Sequence, residues 1–218
     1  MTQPQRRAAP SKASPLGGSV LHGVKSVGAN RLWLVRHAQP LIAPGICYGQ
    51  LNVAASAEAT RACAAELAEV LPTGTSVVTS SLQRCEQLTY VLIGLRPDLT
   101  LKIDPNLQEM HFGNWEGRAW ADIAKTELDD WTENFAHYPA GNIGGGGGGI
   151  SGESVSQFMA RVATAFDAID PAQNTLWVTH AGVIRAVQLF ASGVRHITRA
   201  DQWPADAPAY GQWCKLDS

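Results

Sequence analysis

Two short apolar segments near opposite ends of the chain constrain its fold more than any other feature. Leu-Trp-Leu-Val (32–35) runs into Arg36-His37-Ala38, and Leu-Trp-Val-Thr (176–179) runs into His180-Ala181-Gly182. Each is too short for a helix and shows no polar alternation, which marks a strand buried on both faces. The spacing predicts strands over 31–36, 76–80 and 175–179, a short alternating strand over 101–104, and a final strand over 210–216. Helices are expected over 56–71, 82–95, 116–130, 153–169 and 182–191; Pro97 closes the second, and Val155, Phe158, Met159, Val162 and Ala165 share one face of the fourth. Strands and helices alternate, which is the pattern of an α/β fold: a three-layer α/β/α sandwich with a mostly parallel central sheet. Sites in such folds lie at the carboxyl ends of the strands.

A chain of 218 residues suits one such domain, placed over 30–218. Residues 1–29, rich in Pro, Ser, Gly and Ala, are expected to be a flexible tail. Residues 141–152 contain six consecutive glycines at 144–149, expected to form a flexible loop; no Lys-Ser/Thr follows them, so they are not a phosphate loop. Cys47, Cys63, Cys85 and Cys214 form no CxxC pair and are expected to be free thiols of a reducing compartment. Arg6-Arg7 is followed by no compact apolar stretch, and no apolar run is long enough to span a bilayer, so a cytoplasmic protein without a membrane partner is expected. Seventeen basic residues against 19 acidic ones argue against a nucleic-acid partner.

Three predicted strand ends deliver Arg36 and His37, Arg84 in the first turn of the second helix, and His180. Gathered at one sheet edge, two arginines and two histidines repel one another unless an anion joins them. Arginine forks match phosphate, and nearby helix N-termini add donors. A neutral imidazole can attack phosphorus, and Glu109, in the loop LQEMHFGNWEG, is the best candidate for the acid and base that the two half-reactions need. His111 is read as a loop residue. Tyr48, Gln50 and Asn52 are candidates for the substrate side. Trp115 and Trp120 read as packing residues, and Trp203 and Trp213 as exposed. Arg161 and Arg185 read as surface helix charges, with the pocket mouth as an alternative for Arg185.

Taken in order, LWLVRHAQP, TSSLQRCEQL, LQEMHFGNWEG and LWVTHAGVIRAV resemble the motifs of the histidine phosphatase, or phosphoglycerate mutase-like, superfamily over residues 31–216; GESVSQFMARV is similar to the helix that precedes the last motif. The resemblance implies that His37 is the phosphorylated histidine, Arg36 and Arg84 bind phosphate, His180 is the second pocket histidine, and Glu109 is the acid/base. It implies neither metal nor cofactor, and the six histidines lack ligand spacing. ICYGQLNV is similar to α-ribazole phosphatases of cobalamin synthesis, which act on a small phosphorylated metabolite. Phosphoglycerate mutase chemistry and a non-catalytic phospho-ligand binding module stand as alternatives. Ala38, Ser81 and Asn52 depart from the usual Gly, Pro and Asp, and the glycine run lengthens a loop.

Overall fold

The computed structural model describes the backbone of residues 19–21 together with residues 32–142 and 150–216. Six strands, β1 (Ser19–Leu21), β2 (Leu32–Arg36), β3 (Ser76–Thr79), β4 (Thr100–Ile103), β5 (Thr175–Thr179) and β6 (Trp213–Leu216), form one sheet in the order β1-β6-β2-β5-β3-β4. All neighbours are parallel except β2 and β6, which are antiparallel. Helices α1 (Ala57–Val70), α2 (Gln83–Leu95), α3 (Lys125–Glu133), α4 (Val155–Asp167) and α5 (Ala181–Ala191) complete the three-layer α/β/α sandwich.

The buried strands divide their side chains between two cores, as a period of two requires. Leu32 and Leu34 of β2 and Trp177 of β5 pack with Val162 of α4 and Ile184, Val187 and Phe190 of α5. Trp33, Val35, Leu176 and Val178 face the other way, onto Cys63 and Leu67 of α1 and Leu88 and Leu92 of α2. An uninterrupted apolar run is therefore what each strand needs.

The helix starts carry their own chemistry. Ser56 Oγ accepts from the Ala59 amide at 3.3 Å. Ser154 and Gln157 form a reciprocal capping box, at 3.2 and 2.9 Å. α2 has no cap from its own Leu82; instead Asn52 Oδ1, from a loop, accepts from the Gln83 amide at 2.8 Å.

Five expectations need correction. The helix expected from 116 begins at Lys125, because the preceding stretch is tied to the 45–50 loop: Ala119 bridges to Ile46, the Gly117 amide donates to Cys47 O at 2.7 Å, and Gly117 takes a left-handed φ of 85°. Ser19–Leu21, placed within the tail, pairs in parallel with β6 and covers its otherwise open edge, with Ser19 opposite Cys214. The rest of residues 1–29 lies outside the described residues, as does the glycine run. β4 shows alternation but no buried face: all four of its residues are exposed at the sheet edge. The last strand starts at Trp213 and not at Tyr210, because Gly211 turns the chain at φ 72°. Trp203 and Trp213, expected to be exposed, are half-buried: Trp213 packs on Trp33 at 4.9 Å between centroids and Trp203 on Phe158 at 6.2 Å. No helix among the described residues is long and apolar enough to cross a membrane.

Replacing Ser154 with Ala removes one half of the capping box. It is expected to cost about 1 kcal/mol of stability, read as a lower urea midpoint at unchanged slope.

Candidate active site

β2 and β5 lie side by side in parallel, with Arg36 opposite Thr179, and the His37 amide donates to Thr179 O at 2.9 Å. The residues that follow, His37 and His180, therefore emerge together, with ring centroids 5.2 Å apart. Both are buried. His37 Nδ1 lies 2.8 Å from Ala38 O. A carbonyl only accepts, so Nδ1 carries the ring hydrogen and Nε2 keeps its lone pair. Burial, followed by the nearby Arg84 guanidinium, pushes the His37 pKa down to about 3, so the ring is neutral at physiological pH. Ala38 needs no special backbone; among the described residues, only glycines have positive φ. His180 is held neutral by the same causes, burial first and Arg84 next, and its Nε2 lies 2.9 Å from Ser80 Oγ and 3.5 Å from Cys85 Sγ.

Arg84 is wholly buried, donating to Gly49 O at 2.6 Å and Leu51 O at 2.9 Å, with its guanidinium 5.0 Å above the Tyr48 ring. Arg36 donates to Pro208 O at 3.2 Å and stacks 3.8 Å over the Tyr210 ring. Among the described residues, the Nε atoms of both arginines are buried and have no hydrogen-bond partner. An unpartnered buried guanidinium donor is costly, and an anion offsets that cost.

Glu109 arrives from the loop after β4. Its Oε2 accepts from the Gly182 amide at 3.1 Å, at the positive N-terminus of α5, and its Oε1 accepts from the Met110 amide at 3.0 Å. A Cβ at position 182 would fall on Glu109 Oε1, so glycine is what lets the two meet. Gln50 Nε2 donates to the main-chain oxygen of Glu109 at 3.0 Å. Tyr48 shares a 3.0 Å hydroxyl–hydroxyl hydrogen bond with Tyr210, whose ring centroid is 5.4 Å from that of His37. Asn52 is exposed and caps α2. Ser81, where a proline is usual, accepts from Gln108 Nε2 at 2.8 Å and ties the β3–α2 turn to the Glu109 loop. His111 contributes main-chain hydrogen bonds to Glu153, as a loop residue.

The structure thus brings together Arg36, His37, Arg84, Glu109 and His180, flanked by Tyr48 and Gln50. Sequence reasoning missed Tyr210, Ser80 and Gly182. It also reads Arg161 as a surface charge, whereas Arg161 is largely buried and donates to the Glu109 carbonyl at 2.9 Å. Arg185 is half-buried and donates to Ala205 O at 2.9 Å. The four thiols are buried, and burial pushes Cys47, Cys63 and Cys85 up to about 12, far from nucleophilic thiolates. Among the described residues, no three His, Cys, Asp or Glu side chains cluster as a metal site.

The model of the histidine phosphatase superfamily (branch 1) matches residues 32–207. The chain belongs to the histidine phosphatase superfamily. It is 29% identical to the adenosylcobalamin/alpha-ribazole phosphatase of Escherichia coli K12, over 86% of this chain and 89% of that one. It is 31% identical to the glucosyl-3-phosphoglycerate phosphatase of Mycobacterium tuberculosis, over 73% of this chain and 74% of that one. A crystal structure of a Thermus thermophilus protein superposes with a TM-score of 0.61 at 26% identity, over 86% of this chain and 93% of that one. The curated relatives are phosphatases by name, and this chain is an enzyme of that class.

Two predictions test the geometry of this histidine phosphatase. Gly182→Ala displaces the Glu109 carboxylate and is expected to lower kcat/KM roughly 10²-fold with an unchanged circular dichroism spectrum. The second concerns acid. An unfolded chain takes up a proton on His37 near pH 6.5, whereas the folded protein resists it until about pH 3, so stability falls as pH drops through that window. His37→Asn removes this penalty; its urea midpoint is expected to fall less between pH 7 and pH 5 than that of the natural protein.

Proposed function

We propose that this histidine phosphatase is a metal-independent phosphomonoesterase that works through a phosphohistidine at His37, on a small phosphorylated metabolite. One observation carries the reading: a buried, neutral His37 with Nε2 free, beside two arginines whose buried Nε donors have no protein partner. In the first half-reaction His37 Nε2 bonds to phosphorus as the phosphorus–oxygen bond to the leaving group breaks. Arg36 and Arg84 stabilise the charge on the equatorial oxygens, and Glu109 gives its proton to the departing oxygen. In the second, water attacks phosphorus and passes a proton to Glu109. The phosphorus–nitrogen bond breaks, inorganic phosphate leaves, and His37 returns to the neutral form. His180 is a second pocket donor to the phosphoryl oxygens. Tyr48 and Gln50 line the side on which the leaving group rests.

α-Ribazole 5′-phosphate is the leading substrate. The ICYGQLNV stretch and the length over which the Escherichia coli relative aligns support it. Four free, buried thiols support a cytoplasmic setting.

The test is phosphate release in the presence of chelator from α-ribazole 5′-phosphate, glucosyl-3-phosphoglycerate, 3-phosphoglycerate and p-nitrophenyl phosphate. Turnover is expected with the first substrate preferred, and His37→Ala is expected to lose at least about 10³-fold. Undiminished turnover by His37→Ala sinks the mechanism, and product formation only with a phosphorylated cofactor points to a mutase. Phosphate binding without any hydrolysis points to a binding module.

A further inference from the structure

We infer that Arg161, with Glu153, is a positioning residue that fixes Glu109 over the phosphoryl site by gripping the main chain on either side of it. This inference rests on the reading of Glu109 as the proton donor.

Glu109 sits on a segment whose regular structure is a single 3₁₀ turn, Pro105–Leu107. Such a loop needs partners for its carbonyls; Thr179 Oγ1 donates to that of Leu107 at 2.8 Å, which leaves those of residues 106, 108 and 109. Arg161 supplies them from α4. Its Nη1 donates to Asn106 O and Gln108 O, each at 2.8 Å, and its Nη2 donates to Glu109 O at 2.9 Å. The remaining donors meet Glu153: Nε to Oε1 at 2.6 Å and Nη2 to Oε2 at 2.8 Å. All five N–H donors of the guanidinium are engaged, which only a planar fork can do. The Phe158 ring, 4.8 Å from its Cζ, helps fix the plane.

Glu153 completes the grip. Its Oε2 also accepts from the His111 amide at 2.9 Å, and its own amide donates to His111 O at 2.8 Å. The loop is thus pinned at residues 106, 108, 109 and 111, with the carboxyl-bearing residue in between. Gln50 adds a second donor to the Glu109 carbonyl, so both its lone pairs are used.

The groups that hold phosphate depend on other anchors. His37 is fixed by β5 and Ala38 O, Arg84 by the carbonyls at 49 and 51, and Arg36 by Pro208 O and Tyr210. Loosening the grip therefore misplaces the proton donor while leaving the phosphoryl cradle in place. A shift on the order of 1 Å is enough to matter for a proton transfer.

The experiment compares kcat/KM for a simple alkyl phosphomonoester, whose leaving oxygen must be protonated, with that for p-nitrophenyl phosphate, whose leaving group departs without help. Glu109→Gln is expected to lower the alkyl-to-aryl ratio roughly 10²-fold or more. Arg161→Lys is expected to lower the same ratio by about 10-fold or more, with inhibition by inorganic phosphate changed less than about 3-fold. Glu153→Gln, which keeps the shape, is expected to act in the same direction and decides the matter should Arg161→Lys fold poorly. A residue with a merely structural role would depress both substrates alike. An unchanged ratio in Arg161→Lys and Glu153→Gln, or equal losses on both substrates, overturns the inference while Glu109→Gln still skews the ratio. A flat ratio in Glu109→Gln overturns the acid assignment and the positioning role with it.

Discussion

Parallel pairing of β2 with β5 sets Arg36 opposite Thr179 and lets the His37 amide close onto the Thr179 carbonyl at 2.9 Å. A one-residue slip in that register would exchange the two faces of β2, sending Leu32 and Leu34 toward α1 and α2 and Trp33 and Val35 toward α4 and α5. Both cores resist this at once, because each strand is buried on both sides. The adjacency of the two histidine rings is thus maintained by roughly a dozen apolar side chains that never meet a substrate.

The register alone would produce an unstable concentration of cations. The protein manages them in two ways. It discharges the histidines, whose protonation is opposed first by burial and then by the arginines. It also occupies part of each guanidinium with backbone carbonyls, at 49 and 51 for Arg84 and at 208 for Arg36, while an Nε on each remains buried without a protein partner. Glu109, anchored to the Gly182 amide, brings a carboxyl group to the start of α5. Donors and dipoles held in place by the fold are the condition under which electrostatic stabilisation is most effective.

Much of this is legible in the sequence, for identifiable reasons. The apolar runs ending at Arg36-His37 and at His180, and the arginine in the first turn of α2, are local patterns, and the parallel sheet assembles them by rule. The two-sided cores follow from the absence of alternation. What sequence reasoning misses depends on long-range contacts. Arg161 looks like any solvated helical arginine, since the carbonyls it meets are more than fifty residues away. Tyr210 reads as the first residue of a strand because Gly211 gives no sign in sequence of the turn it makes. Asn52 reads as a substrate-side candidate from its position in a motif, and the cap it gives α2, where Leu82 offers none, is made to a residue 31 positions away. The helix expected from 116 yields to the bridge between Ile46 and Ala119, another contact between distant segments.

The antiparallel β6 has a topological consequence. α5 starts at the edge where His37 and His180 emerge and carries the chain away from it, yet β6 begins with Trp213 beside Val35, back at that same edge. The connection between them therefore returns to that edge, delivering Pro208 and Tyr210 to the Arg36 guanidinium on the way. Sheet register fixes the two histidines, whereas the crossover is held by contacts of its own, Tyr210 against Tyr48 and the Gly211 amide on the carbonyls of Arg36 and His37. A change in the crossover therefore reaches Arg36 and Tyr48 while the strand pairing behind the two histidines stays as it is.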